Sequence, residues 1–154
     1  LMSLPQELVN WALAQGFDAD NINSRIENGT SPLMLAAQQN DLSRLQLLLD
    51  AGADVNLIND DENNALWFAC FANNPHMAQL LIDYDCDINN QNVNGATALV
   101  YCASAGKYEL VRRLVEAGAD VHRKTLDGFT ALDSASTLPI LKFLKPLYAE
   151  SLAC

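Results

Sequence analysis

One pattern recurs along this chain at a fixed interval of 33 residues, and it restricts the possible folds more than any other feature. Ala-Gly-Ala-Asp-Val-Asn ends at Asn56, Tyr-Asp-Cys-Asp-Ile-Asn at Asn89 and Ala-Gly-Ala-Asp-Val-His at His122. A second anchor gives the same spacing: Gly29, Glu62, Gly95 and Gly128 each stand just ahead of a short apolar run. Two anchors sharing one period over about a hundred residues define a repeat architecture, in which each unit buries its apolar face against its neighbours.

Within each unit the local chemistry predicts two short antiparallel helices. Ser31, Asn64, Thr97 and Thr130 precede the apolar runs, where a side-chain oxygen can accept an orphan helix N–H. Pro32 follows in the first turn, where a missing donor costs nothing. The first helix of each unit carries small residues (Ala36 and Ala37, Ala69 and Cys70, Cys102 and Ala103) that let neighbouring helices approach closely. Asn40, Asn73 and Gly106 end it, being residues that tolerate the left-handed conformation. A second helix is predicted from Leu42, Leu45, Leu48 and Leu49, and from Met77, Leu80 and Leu81. The corresponding residues of the third unit are Leu110, Val111, Leu114 and Val115. Gly52 and Gly118 close these helices, whereas Asp85 replaces that glycine at some expected loss of stability. Each unit then passes through a polar turn or short hairpin.

Gly-x-Ser-Pro-Leu-x-x-Ala-Ala at Gly29 to Ala37, Gly-x-Thr-Ala-Leu at Gly95 to Leu99 and Ala-Gly-Ala-Asp-Val-Asn at Ala51 to Asn56 together resemble the ankyrin repeat. The resemblance is in clear register over residues 23–136. It implies an all-α solenoid of stacked helix–turn–helix units with protruding β-hairpin fingers, acting by protein binding along a concave face. The sequence departs from the family where a histidine is usual: Met34, Trp67, Val100 and Asp133 stand there, so the ties that histidine makes between adjacent turns must be made otherwise or be missing.

We expect a single ankyrin-repeat domain over 1–154, with an N-terminal cap at 1–22, repeats at 23–56, 57–89 and 90–122, and a truncated capping repeat at 123–154. The N-terminal cap reads as a lone second helix with a stripe of Leu8, Val9, Ala12 and Leu13, closed by Gly16. At the other end Pro139 is expected near the start of the last helix and Pro146 at or past its end. Two cap-like ends predict a complete folding unit, and a first residue of Leu instead of Met predicts residues upstream.

The net charge of −10 argues against nucleic acid and against an anionic membrane surface, because both need Lys and Arg to meet phosphate. It fits a protein partner with a basic surface, or serves solubility alone. The four cysteines lack metal-binding spacing, and three fall among Ala-like core positions. Reduced thiols in a cytoplasmic protein are therefore expected, and a solenoid with polar caps is expected to be a monomer. No apolar run approaches membrane-spanning length. His76 and His122 share no motif with a Ser or Cys nucleophile, and His122 takes the place of a turn Asn. With no phosphate loop, EF-hand or metal constellation, no catalytic residue, metal or cofactor is predicted.

Mapping the family's fingers and inner helices onto this chain gives the candidate partner-binding face. It comprises Ile58, Asp60, Asp61 and Asn63 on one finger, Val93 and Asn94 on the next, and Lys124, Leu126, Asp127 and Phe129 on the last. Phe71 and Ser104 add inner-helix positions. Asp60, Asp61 and Glu62 place three carboxylates on one tip, either solvated or poised for Lys and Arg. Trp67 and Phe68 are assigned to the core, Phe71 is left open, and Phe129 is the leading exposed anchor. The expected function is a protein–protein interaction module. Two alternatives remain: an inhibitor or immunity-type protein that covers a basic enzyme or toxin, and the recognition domain of a larger protein.

Overall fold

A computed structural model describes the backbone of residues 4–153 and the side chains of residues 4–149. Leu1 and Cys154, both used in the sequence reading, lie outside the described residues. The chain divides into two compact units, Leu1–Cys86 and Asp87–Cys154. The first holds α1 (Gln6–Ala14), α2 (Pro32–Gln38), α3 (Leu42–Asp50), α4 (Ala65–Phe71) and α5 (Pro75–Asp83). The second holds α6 (Ala98–Ser104), α7 (Tyr108–Glu116), α8 (Ala131–Ser134) and α9 (Leu138–Ala153). No strand occurs among the described residues.

The caps act where the residue types predict. Ser31, Asn64, Thr97 and Thr130 each accept the N–H three residues on, from Met34, Trp67, Val100 and Asp133. Asn40 and Asn73 end α2 and α4 with φ of 57° and 54°. The chain then closes a Schellman pattern, as in Asp41 N–H to Ala36 C=O at 2.9 Å. Gly52, Asp85 and Gly118 repeat the device after α3, α5 and α7 at φ of 90°, 63° and 97°.

In the first unit α2 packs between α3 and α4, and α5 closes on α3 and α4. Ala36, Ala37, Ala69 and Cys70 are fully buried, the small side chains that allow this approach. Leu45, Leu48, Leu66, Met77 and Leu81 fill the space between, each contributing about 1.5–3 kcal/mol by burial. The α1 cap binds through Leu8, Trp11 and Phe17, all buried, while Leu13 of the expected stripe is 51 % exposed. Trp11 wins that place because its ring also stacks under the Arg44 guanidinium, 4.9 Å away, and its Nε1–H donates to Gln39.

In the second unit α6 packs on α7 and α8, and α9 packs on α7 and α8. Leu99, Cys102, Ala103, Leu110, Leu114, Ile140 and Leu144 form its core. After the four-residue α8, Ser136 donates from both its N–H and its hydroxyl to Ala103 C=O, and the chain passes directly into α9. Pro139 lies at the start of α9, but Pro146 stands inside it and does not end it. Beyond the proline, the Tyr148 hydroxyl donates to Val121 C=O, and its ring meets His122 edge-on at 5.2 Å. His122 is thus a turn residue packed on an aromatic ring. Cys70 and Cys102 are buried and Cys86 is half-buried.

A candidate partner-binding surface on the fingers and inner helices

Four five-residue turns form the fingers: 26–30, 59–63, 92–96 and 125–129. Each is closed by one N–H···O=C bond between its first and last residues, 2.9–3.0 Å long. The fourth residue (Gly29, Glu62, Gly95 or Gly128) has positive φ, which lets the chain reverse. The hairpins expected from the family resemblance are therefore tight turns without strand ladders. Asn59 and Asn92 organise two of them from inside. Asn59 Oδ1 accepts from Asp61 and Asn63 N–H, and Asn92 Oδ1 from Asn94 and Ala96 N–H.

Neighbouring fingers within each unit are joined edge to edge. Asp60 N–H donates to Asn28 C=O at 2.9 Å in the first unit, and Leu126 N–H to Asn94 C=O at 3.0 Å in the second. Side chains reinforce both junctions from one repeat position. Arg25 donates to Gly29 and Ile58 C=O, and Gln91 to Gly95 and Lys124 C=O. These bridges tie finger to finger in a chain that lacks the family's histidine at its four positions, where Met34 and Val100 are simply buried. Arg25, Gln91, Asn59 and Asn92 escaped the sequence reading. The signal was present: each pair is 66 or 33 residues apart, the repeat or twice it.

The predicted residues fall as follows. In the first unit Asp60 and Asp61 are exposed at the finger tip, and Asp61 accepts from the Asn28 side chain at 3.0 Å. Ile58 is 38 % and Phe71, at the end of α4, 66 % exposed. Asn63 must be corrected: it is 9 % exposed, because its backbone N–H and C=O close the turn onto Asn59 and draw it inward. Trp67 and Phe68, assigned to the core, are each partly exposed. In the second unit Val93, Asn94, Ser104, Lys124, Leu126, Asp127 and Phe129 are all exposed, Leu126 by 79 % and Phe129 by 54 %. Val93 and Leu126 occupy the same position in adjoining turns, so two apolar side chains stand at successive tips.

Electrostatics differ sharply between the units. The first carries 12 Asp and Glu against two Arg, and the second seven acidic and seven basic side chains. The entire formal charge of −10 therefore belongs to the first. Both of its arginines are already engaged, Arg44 by Asp41 at 2.6 Å and Arg25 by carbonyls. In the second unit Asp133 is held below the ordinary carboxylate range. The Thr130 N–H contributes most, then the Thr130 hydroxyl, with Lys124 nearby adding to the effect. Among the described residues no three His, Cys, Asp or Glu gather where they could hold a metal ion, and no helix is long and apolar enough to cross a membrane.

Capped helix pairs repeating every 33 residues, joined by stacked turns whose tips carry exposed apolar and charged side chains, define a helical repeat protein of the solenoid class. A family model described as ankyrin repeats (3 copies) matches residues 3–92 and again residues 72–151. The chain belongs to the ankyrin-repeat family. It is similar in structure to the ankyrin repeat domain of Bcl-3, described as a unique member of the IkappaB protein family. That likeness has 29 % identity and a TM-score of 0.77, and it covers 81 % of this chain. This chain spans 55 % of that structure's length. Comparison with curated protein sequences finds no match. Ankyrin-repeat domains generally mediate protein–protein interaction, and theirs is a binding-module fold.

Proposed function

We propose that this chain is a protein-binding module, acting without catalysis, whose contact residues are the exposed finger tips and inner-helix ends. One observation carries the reading: large apolar side chains stand exposed at corresponding finger positions, Val93 and Leu126, beside Phe129. Exposing them costs the isolated protein about 25 cal/mol per Å² of apolar surface, recovered when a partner covers them. Phe71 and Ile58 play this part in the first unit. Asn63 drops out of the contact set and remains as a structural residue of its turn.

The charge division refines the partner. A basic protein surface is drawn to the first unit, where Asp60 and Asp61 stand at a tip. The same feature favours an inhibitor or immunity-type role as a second reading, with the acidic unit covering a basic active site. Recognition on behalf of a larger protein uses the same surface. The cysteines at Ala-like core positions, buried at Cys70 and Cys102, fit a reducing compartment, which we take to be the cytoplasm, and we take the chain to be monomeric.

The test is quantitative binding of a protein captured from source-cell lysate, comparing wild type with Phe129→Ala and Leu126→Ala. Each variant is expected to weaken binding by roughly 1–2 kcal/mol with an unchanged helical spectrum. Wild-type affinity in both variants removes the apolar tips from the contact.

A further inference from the structure

Among the four finger turns, two present an Asn-Gly pair at the same repeat position: Asn28–Gly29 and Asn94–Gly95. These are the only Asn-Gly pairs in the chain. The glycine of the second pair is not replaceable. Its φ is 75°, and a Cβ there would lie 2.7 Å from Leu126 N and 3.0 Å from Thr125 C in the adjoining turn. Stacking of the fingers therefore leaves Asn94 followed by a residue with no side chain to shield its own backbone nitrogen.

We propose that Asn94 is a spontaneous deamidation site, and that Asn28 is protected from the same reaction by Asp61. The backbone nitrogen of Gly95 attacks Cγ of Asn94 and forms a C–N bond. The carboxamide nitrogen leaves as ammonia, taking up the proton that the Gly95 amide gives up. The five-membered succinimide then adds one water. Opening at the side-chain carbonyl gives an ordinary aspartate in place of Asn94, and opening at the main-chain carbonyl gives isoaspartate. One ammonia leaves, one water enters, and nothing is oxidised.

The two sites differ in how the side-chain amide is held. Asn28 Nδ2 donates to Asp61 Oδ2 at 3.0 Å, a tether that restricts the rotation attack by Gly29 N requires. The same carboxylate opposes the charge that deamidation of Asn28 creates. Asn94 is exposed, and its carboxamide bonds to no other described residue. The restraint on Asn94 lies in its backbone: its C=O accepts from Leu126 N–H of the adjoining finger, its N–H donates to Asn92 Oδ1, and Gly95 N–H donates to Asn92 C=O at 2.8 Å, a bond that must open before attack. Gly29 N–H is held in the same way by Ile26 C=O at 3.0 Å. The backbones differ in that Asn28 holds φ of 63° and Gly95 is buried where Gly29 is half-buried, so the part played by the tether is read from Asp61→Ala and not from the two rates alone.

Conversion of Asn94 to aspartate puts into the third finger the residue type that Asp61 and Asp127 already supply at this position, adding one negative charge to the second unit. Isoaspartate lengthens the main chain and displaces the carbonyl that receives Leu126 N–H, unhooking the tip that carries Leu126. That this alters partner binding rests on the function proposed above; the reaction itself does not.

The full chain is incubated at physiological temperature in mildly alkaline buffer. Both peptides are followed by the mass gain of acid over amide, and isoaspartate by enzymatic methyl labelling. Conversion at Asn94 several-fold ahead of Asn28 is expected, and Asp61→Ala accelerates Asn28 several-fold while leaving Asn94 unchanged. Equal rates at both sites, or no conversion at Asn94 while a free peptide of residues 91–97 converts, overturns the site. An Asn28 rate unmoved by Asp61→Ala overturns the protection. No partner enters the measurement, so a negative result bears on this inference and leaves the binding function standing.

Discussion

Seven glycines of this chain have positive φ, yet they tolerate a side chain very differently. Gly118 has φ of 97° with open space around a built Cβ, whereas Gly95 meets the next finger's backbone. Gly118→Ala is expected to cost about 1 kcal/mol of unfolding free energy, from the left-handed backbone alone. Gly95→Ala adds the collision with Leu126 N and is expected to cost roughly 3 kcal/mol, as urea unfolding will show. At Asp85 the sign reverses: it holds φ of 63° without a glycine's freedom, and Asp85→Gly should raise stability by about 0.5–1 kcal/mol. The four N-caps and the left-handed Asn40 and Asn73 were legible in the sequence, because each stands at the edge of an apolar run where its residue type has one local use; Asn59 and Asn92, whose partners are equally near, lie among other polar turn residues and were not. Arg25 and Gln91 were not, because they donate to backbone carbonyls one repeat away, and a carbonyl carries no residue-type signal. Asn63 was misplaced for the same reason: the bonds that turn it inward belong to its backbone.

Individual helices are too short to stand alone, so each depends on its caps and on the element beside it. The shortest, α8, has four residues and is held by a capping box: Thr130 accepts from Asp133 N–H, and Asp133 accepts from Thr130 N–H. These bonds lower the Asp133 pKa in the folded chain. The stabilisation is therefore fully present above the unfolded value of about 3.9 and is lost as pH falls through the lower folded value. Asp120, lowered chiefly by the His122 N–H, and Glu109, lowered by Arg112 and Arg113, follow the same sign. Asp133→Asn should make stability less steep in acid, measured by denaturant midpoints across that range. The longest helix, α9, was read too short because a proline inside a helix ordinarily ends it. Its continuation depends on Tyr148, whose contacts lie 16 and 27 residues back in sequence and could not be seen there. Pro146→Ala is expected to stabilise α9 by about 1–3 kcal/mol, visible as a higher thermal midpoint and a stronger helical signal.

For the whole chain, the repeat period established the fold class, since a 33-residue recurrence of caps and apolar faces has few solutions. The total charge was equally plain, but its division was hidden until the boundary between the two units was known. That division predicts an electrostatic asymmetry in binding. Asp60→Lys with Asp61→Lys should slow association with a basic partner about tenfold at low ionic strength and flatten its salt dependence, as stopped-flow rates will report. An equal change of charge on the second unit, Asp120→Lys with Asp127→Lys, should leave the rate nearly unchanged. Exposure at the finger tips marks where a partner is expected to sit, and Val93, Leu126 and Phe129, placed on that face by the family resemblance, are exposed there. The most direct test of the binding surface is backbone hydrogen exchange on the chain with and without its captured partner. Slowed exchange in the finger peptides around residues 58–63, 92–96 and 124–129 is the predicted result. Protection confined to α3, α5 and α7, with the fingers unchanged, would contradict it.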